Sequence, residues 1–228
     1  MKEQLQKDFD NTIRNLTLSQ KDIEIKKFYL DNFINKGFPN RREEDWKFSD
    51  LNQIIKKNIG ELSFYSDYAS TNKVDTSAFV DGLEHNKIVF INGRIEKIDF
   101  DYEKKDQIEI IDQSETINKF NNNSSLSDLN SAFTNKSFKI VVKEGYQLTK
   151  PLIIYHTTNS KIWSKNINLR LNFELYENSS LRLIDLFRDT SEKNFLNIFY
   201  NFDLKENSIL KNYKVDKFEN KNIKYSFN

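Results

Sequence analysis

Hydrophobic residues recur at helical spacing through the first 57 residues. Two runs predict amphipathic helices, one with Leu5, Phe9, Ile13 and Leu16 and a second with Ile23, Leu30, Phe33 and Ile34. Ser19 with Asp22 three positions later predicts a capping box for the second helix. Gly37 followed by Pro39 predicts its end, because both residues disfavour a continuing helix. We interpret these apolar stripes as core or partner-facing surfaces rather than as a cofactor site.

The helical region ends with residues 49–57, and residues 58–136 show a mixed pattern. Ser49 or Asp50 could cap a third short helix, which runs through Leu51, Ile54 and Ile55. Residues 87–93 read as a strand that enters an Asn-Gly turn, and residues 94–100 as its return strand. Residues 107–111 could form another strand, and residues 121–125 a loop. A short helix starting at Ser125 and Asp128 would then carry Leu126, Leu129 and Phe133.

From residue 137 onward the pattern is that of strands almost without interruption. Apolar residues alternate with polar ones in two long runs, Leu169, Leu171, Phe173 and Leu175, and Leu196, Ile198, Tyr200, Phe202 and Leu204. One face of each strand should therefore be buried, and the other solvated or covered. We divide the chain into a helical region at 1–57, a mixed region at 58–136 and a β region at 137–228.

A short motif repeats three times within the β region. Its form is apolar-x-Glu-[Gly/Asn]-x-x-Leu, and the copies occupy residues 142–148, 175–181 and 204–210. Glycine or asparagine at the fourth position favours a left-handed turn that would bend one strand into the next. Strand repeats about 30 residues apart are typical of solenoids. The pattern favours a parallel β-helix and leaves an antiparallel sandwich open.

Composition and charge exclude several classes of function. The chain has 228 residues, 35 Lys+Arg against 34 Asp+Glu, no cysteine and two histidines. A formal charge of +1 is not that of a dedicated nucleic-acid binder. The absence of cysteine excludes disulfides, a cysteine nucleophile and any zinc or iron–sulfur site held by this chain's thiolates. No secretory signal or membrane-spanning run is recognisable, so we expect a soluble, cytoplasmic protein without membrane or nucleic-acid partners.

The search for catalytic chemistry assigns no site. Five scattered glycines cannot build a phosphate-binding loop. His85 and His156 are interpreted as surface or strand-end residues, and no carboxylate stands in an apolar context that would shift its pKa usefully. The charged cluster at residues 41–45 is either a solvated link between helices or a contact surface. We therefore name no catalytic, cofactor-binding or metal residue and predict a non-enzymatic scaffold or binding protein with a β-solenoid body.

Residues 37–51 resemble the N-terminal signature of the SufB/SufD family of iron–sulfur cluster assembly proteins, and its SufD branch in particular. The matching positions are Gly37, Pro39, Glu44, Trp46, Lys47, Phe48, Ser49, Asp50 and Leu51. Residues 90–94 are similar to the Phe-Val-Asn-Gly-Arg strand and turn of that family. Residues 128–133, 141–145 and 150–152 resemble the entry into its β-helix, in the same order along the chain.

The resemblance implies a right-handed parallel β-helix behind a helical N-terminal part. It also implies a non-catalytic scaffold subunit that acts with SufB-like and SufC-like partners, the latter an ABC-type ATPase. An iron–sulfur cluster would then be present only at the level of the whole complex. The histidine and cysteine residues that serve cluster assembly in the family lie beyond the part matched here, so no residue inherits their role.

Family members are about twice as long, which predicts that the 228 residues form a truncated β-helix. An open solenoid end presents unpaired backbone groups and apolar side chains, so we expect self-association or a partner there. A polar cap after residue 210 would count against that expectation. Two further hypotheses remain, an unrelated structural adaptor and a β-helix protein that binds or cleaves polysaccharides.

Overall fold

Helices dominate the N-terminal quarter of the chain. The computed structural model describes residues 2–64, 79–113, 124–158, 163–189, 193–217 and 223–227. Its helices are α1 (Lys2–Arg14), α2 (Gln20–Lys36), α3 (Leu51–Asn58) and α4 (Ser125–Phe133), with a short 3-10 turn at Glu44–Trp46. The four predicted helices are therefore confirmed. Among these described helices none is long and apolar enough to cross a membrane.

The predicted helix caps are present. The Ser19 side chain accepts a hydrogen bond from the backbone N–H of Asp22, and Gly37 ends α2 with φ of 74°. Asp50 rather than Ser49 caps α3, because its carboxylate accepts from the Gln53 N–H. These short-range hydrogen bonds set the bounds of α2 and α3 independently of the rest of the fold.

The strands form two five-stranded sheets. They are β1 (Asn86–Ile91), β2 (Arg94–Asp99), β3 (Ile108–Asp112), β4 (Ser137–Val142), β5 (Leu152–Thr158), β6 (Asn166–Leu175), β7 (Ser180–Asp189), β8 (Phe195–Leu204), β9 (Ile209–Lys217) and β10 (Ile223–Phe227). The first sheet has the order β2-β1-β5-β7-β9, and the second has the order β10-β8-β6-β4-β3.

Two antiparallel pairs stand at one edge of these sheets. The predicted hairpin joins β1 to β2 through Asn92 and Gly93, whose φ angles of 52° and 78° are those of a tight two-residue turn. The predicted strand at 107–111 is β3, which pairs antiparallel with β4. The loop predicted at 121–125 falls largely outside the described residues, and α4 begins within it at Ser125.

From β4 onward, successive strands alternate between the two sheets. From β6 onward, each strand pairs in parallel with the strand two positions earlier, as β6 does with β4 and β7 with β5. The same holds for β8, β9 and β10. The antiparallel sandwich left open by the sequence is therefore wrong, because the sheets are mixed and mostly parallel.

The repeated motif forms three stacked turns. Gly145, Asn178 and Asn207 all adopt left-handed conformations, with φ of 69°, 56° and 54°. The Gly145 N–H donates to the Glu177 carbonyl at 2.8 Å, and the Asn178 N–H donates to the Glu206 carbonyl at 3.0 Å. Each turn is thus hydrogen-bonded to the next one, which confirms the left-handed turns predicted from the repeat.

One hydrophobic core fills the space between the sheets. Inward-facing residues of both sheets pack together there, among them Ile88, Ile154, Leu183, Leu171 and Ile198. The opposite face of the second sheet is covered by the helices, whose own core includes Phe195 of β8. The first sheet and the helices therefore lie on opposite sides of the second sheet. In the region predicted as mixed, at 58–136, strands β1–β3 are part of the two sheets, whereas α4 packs with the helices.

Candidate functional site

The C-terminal end of the two sheets combines open strand edges with an unusual polar interior. Among the described strands, β9 and β10 are the outermost ones at this end, and each pairs on one side only. Their free edges present backbone donors and acceptors that could pair with another chain. This end is the part of the described fold best suited to contact a partner.

Beyond Leu210, which packs on the shared core, the inward-facing positions of β9 and β10 are polar. The registers place Asn212, Lys214 and Asp216 of β9 opposite Leu183, Asp185 and Phe187 of β7, and Lys224 and Ser226 of β10 opposite Leu196 and Ile198 of β8. The expectation of apolar side chains at the open end is therefore wrong at these positions. The unpaired backbone edge remains.

A buried ionic cluster lies directly beneath this polar layer. His156 Nε2 is 3.0 Å from Asp185 Oδ1 and 3.0 Å from the Tyr200 hydroxyl oxygen. Lys224 Nζ donates to Asp185 Oδ2 at 3.2 Å and to Asp216 Oδ1 at 2.8 Å. The cluster joins β5, β7, β8, β9 and β10, so the charged groups link both sheets at their shared core.

Burial and charge set the acidity of this cluster. Burial acts to raise the pKa of Asp185, but the attraction of His156 and Lys224 outweighs it and holds that pKa well below its usual range. Burial, together with the Asp185 charge, raises the pKa of Tyr200 far above its ordinary value. Asp185 is therefore an ionised, paired carboxylate inside an otherwise apolar row.

The structure corrects three sequence interpretations at this point. His156 is 2 % exposed and lies in the shared core, and His85 is also buried, where its imidazole contacts the Leu83 carbonyl and the Tyr155 hydroxyl. Neither is a surface residue. The statement that no carboxylate stands in an apolar context is also wrong, because Asp185 lies between Leu183 and Phe187 and its pKa is shifted. The His156–Asp185 pair is buried, whereas the Asp216 side chain at the edge of the cluster is 38 % exposed. The cluster suits a structural role, because its ion pairs hold strands of both sheets together.

The segment at 37–51 lies beside the same end of the sheets. It is closed by a hydrogen bond from the Leu51 N–H to the Pro39 carbonyl at 3.1 Å. The Trp46 ring packs on Tyr225 of β10 with 5.7 Å between centroids. Phe48 is 88 % exposed, and residues 41–45 are exposed as well, so the predicted link between helices presents an aromatic side chain to solvent.

A second concave surface lies among the helices. This open cleft of about 1160 Å³ has an apolar floor of Phe38, Leu62 and Phe64, and a rim that includes Lys56 and Lys165. Lys165 Nζ donates to the Ser63 hydroxyl at 3.1 Å, so its ammonium group is held against the wall of the cleft. The cleft shows no catalytic pair of side chains among its described residues.

Comparison with known proteins leaves the family unassigned. No family model matches the chain, and no curated protein matches it. Within the described ranges, no group of three or more histidine, aspartate or glutamate residues is placed to hold a metal ion. The resemblance of residues 37–51 to the SufB/SufD signature therefore rests on the sequence of those residues.

Proposed function

We propose that this chain is a non-catalytic, SufD-like scaffold subunit of an iron–sulfur cluster assembly complex. The observation that carries the proposal is the signature segment at 37–51, in which the matched residues have structural roles. Gly37 ends α2, Asp50 caps α3, and Trp46 packs on the last described strand. The signature thus joins the helices to the open end of the sheets, where a partner would bind.

We further propose that the two sheets are the walls of a right-handed parallel β-helix. Alternation of successive strands between two parallel-paired sheets supports this arrangement. The stacked left-handed turns at Gly145, Asn178 and Asn207 support it too, because they recur once for each coil. Such a body is stiff along its axis and would transmit movement between subunits that bind at its ends.

The partners in this proposal are SufB-like and SufC-like subunits, with self-association of the same end as a further outcome. Ile209 N–H is bonded to the Ser179 carbonyl, so the odd-numbered residues of β9 direct their backbone groups toward β7. The even-numbered residues, such as Asn212, direct theirs toward the free edge. A partner strand would pair with these even-numbered residues.

Co-expression of the complete gene product with the SufB-like and SufC-like proteins of the same genome tests the proposal. We expect a stable complex by affinity purification and light scattering. In the 228-residue chain, where β9 is the outermost described strand of its sheet, Asn212→Pro should reduce recovery of the partner about tenfold, because it removes an edge donor without removing a bond to β7. Asn212→Ala is the matched control, since it removes the same side chain and keeps the N–H.

Two results would contradict the proposal in different ways. Absence of both partners from the purified complete protein would overturn the role in cluster assembly. Recovery of the partners by both variants at the parent level would leave that role standing and overturn the β9 edge as their contact. In either case the thermal unfolding of each variant must match the parent, so that misfolding is not read as lost binding.

A further inference from the structure

The outer face of the first sheet, which points away from the shared core, carries an apolar ladder. Parallel register places paired residues side by side on the same face. Two rows cross three neighbouring strands in this way, Ile153–Ile184–Tyr213 and Tyr155–Leu186–Val215. The first members of both rows pack with Val89 and Ile91 in a cluster separate from the shared core.

Only half of this ladder is covered by the described part of the chain. The Phe79 ring packs on Tyr155 with 4.7 Å between centroids, and the Val80 N–H donates to the Tyr155 hydroxyl at 3.0 Å. At the other end, Tyr213 is 54 % exposed and Val215 is 48 % exposed. An apolar surface continuous with a buried cluster is thus open to solvent on β9.

Basic residues border the ladder. Arg182 of β7 and Lys211 of β9 are neighbours in register on one side of it, and Arg188 of β7 lies on the other side.

Around the covered half, the outward positions of β1 and β2 hold Lys87, Arg94 and Lys97. Among the described strand residues that have a register partner in this sheet, Asp99 is the acidic residue at an outward position, and it already pairs with Lys87 and Lys97. Glu96 lies at the bulge of β2, outside the register. A chain of net charge +1 therefore concentrates positive charge on this face.

The dimensions of the open half match a helix. Arg182 and Arg188 are six residues apart on one strand, which corresponds to about 20 Å. An α-helix with its side chains is about 10–12 Å wide, so it fits between these basic positions with room for flanking acidic side chains. Measured across the strands, β7 and β9 with the margin beyond the β9 edge span about 10 Å, which is the length of roughly two helical turns.

We propose that the outer face of the first sheet binds a short amphipathic helix of a partner protein, apolar on one side and acidic along both flanks. The helix would lie across β7 and β9 with its apolar side on Ile184, Leu186 and Tyr213. Its carboxylates would reach Arg182 and Lys211 on one flank and Arg188 on the other. This surface is distinct from the strand edge, so the inference does not depend on the role in cluster assembly.

The chain's own cover on the other half has the same chemistry. Phe79 and Val80 supply the apolar contact, and the Phe79 ring also lies 5.4 Å from Lys87 Nζ. Asp81 is close enough to Tyr155 for its negative charge to act on that hydroxyl, whose pKa is raised mainly by burial. Apolar side chains followed by a carboxylate therefore already occupy the neighbouring part of this face.

Other classes of ligand fit the face less well. Nucleic-acid binding on a sheet depends on several exposed aromatic rings, and the uncovered ladder offers Tyr213 among aliphatic neighbours. An anionic membrane would not require an apolar strip two rows wide with cations on both sides. An amphipathic helix is the occupant that would contact both the apolar ladder and the basic residues on its two sides.

A fluorescent synthetic helical peptide tests this proposal by anisotropy. The peptide has about three turns, leucines along one side and glutamates on both flanks, and its control has lysine in place of each glutamate. We expect the acidic peptide to bind at least about tenfold more tightly than the control and to weaken as salt rises. Lys211→Glu and Tyr213→Ser should each reduce its affinity about tenfold, whereas Lys57→Glu, on the exposed side of α3, should not.

Four outcomes would overturn the inference. The first is that the acidic peptide binds no better than its control, and the second is that Lys211→Glu and Tyr213→Ser bind it like the parent. The third is that binding of phosphatidylglycerol vesicles or single-stranded polyuridylate depends on Lys211 and Tyr213 more strongly than binding of the peptide does. Tighter peptide binding after residues 65–78 are replaced by a glycine-serine linker would identify the chain's own segment as the occupant. Variants are compared only after their circular dichroism and melting match the parent.

Discussion

Lys26 is a fully buried lysine beneath the end of a helix. Its Nζ donates to the backbone carbonyls of Ser131, Ala132 and Thr134, the last of them at 2.6 Å. These carbonyls belong to the last turn of α4, where a helix lacks internal donors and carries partial negative charge. Burial is the main cause that lowers the pKa of Lys26 to about 7, with repulsion from Arg170 as a further cause.

This shift makes part of the stability depend on pH in a defined direction. Because the folded pKa lies below the unfolded one, the unfolded chain binds more protons between about pH 7 and pH 10.5. The contribution of Lys26 to the unfolding free energy should therefore rise with pH through this window. In Lys26→Met that rise should be smaller by several kcal/mol.

Urea unfolding at pH 7 and pH 9.5 measures this difference. Lys27→Met, at an exposed position of the same helix, should keep the pH dependence of the parent. An equal rise in the parent and in Lys26→Met would show that Lys26 keeps an ordinary pKa in the folded protein. The comparison between the two variants removes the contributions of the other lysines and tyrosines.

The sequence does not signal residues such as Lys26. The stripe Ile23, Leu30, Phe33 and Ile34 locates the buried side of α2 only roughly, and in the structure Ile25, Tyr29, Leu30 and Phe33 carry most of the burial. Lys26 falls on that side, but a lysine is ordinarily solvated, and the carbonyls that accept its hydrogen bonds are more than 100 residues away. The interaction depends on tertiary packing that no local pattern encodes.

At the scale of elements, β10 is attached to the fold by two different kinds of contact. Its outward residues Ile223 and Tyr225 pack against the helices, and Trp46 contributes to that surface. Its inward Lys224 is almost completely buried and pairs with Asp185 and Asp216. The ion pairs of this one lysine therefore decide whether the inner side of this five-residue strand can be buried against the core.

Asp185→Asn should loosen β10 selectively. The substitution removes the fully buried one of the two counter-charges of Lys224, and breaking a buried ion pair costs about 3–5 kcal/mol. Hydrogen exchange followed by mass spectrometry should show faster exchange in residues 223–227 than in β6. Because Asp185 has a lowered folded pKa, its stabilisation is present above its unfolded pKa and is lost as pH falls, and this acid sensitivity should diminish in the variant.

Asp203→Asn is the control for this experiment. Asp203 lies near the end of β8 and pairs with Lys205 in a solvent-exposed ion pair. Such pairs contribute little to stability, so its exchange pattern should stay close to that of the parent. Equal protection of 223–227 in the parent and Asp185→Asn would mean that the apolar contacts of Ile223 and Tyr225 hold the strand alone.

Elements with local signals were the ones predicted well from the sequence. The caps at Ser19 and Asp50 and the turn at Asn92–Gly93 depend on residues within three positions of one another. The burial of Lys224 beside Asp185 could not be predicted in the same way, because the two residues are 39 positions apart along the chain. Asp185 interrupts the row Leu181, Leu183 and Phe187, and that interruption is the one signal that could have marked the cluster.

At the scale of the whole molecule, α4 joins the helices to the second sheet through buried amides. Asn130 Nδ2 donates to the carbonyls of Leu169 and Asn197, and Asn197 Nδ2 donates to the Leu126 carbonyl at 2.8 Å. Arg170 adds a hydrogen bond to the Ser131 hydroxyl at 2.9 Å. These bonds satisfy polar groups on the face of the sheet that α4 covers.

Asn130→Ala should weaken the coupling between the helices and the sheets. The substitution removes the side-chain donors to the Leu169 and Asn197 carbonyls and the buried amide oxygen that accepts from Arg170, at a cost of about 2–3 kcal/mol. We expect the single unfolding transition to broaden, with exchange in α1–α3 becoming faster than in β5–β8. Asn201→Ala, at a half-buried position of β8, should retain the parent transition. Uniform acceleration of exchange in all elements would instead indicate one cooperative unit.

The stacked turns also determine how the length of this protein can change. The Gly145 N–H donates to the turn that contains Asn178, and the Asn178 N–H donates to the turn that contains Asn207. These hydrogen bonds therefore point the same way along the chain, and Asn207 is in the last of the three described turns. A duplicated segment of about 30 residues, from one such turn to the next, would provide a carbonyl that accepts the hydrogen bond of the Asn207 N–H. Its own turn would then present an equivalent N–H to the segment that follows. Lengthening by whole coils would therefore preserve both the turn chemistry and the register of every strand already present. An insertion of an odd number of residues within a strand would instead shift the inward row of that strand to the outer face.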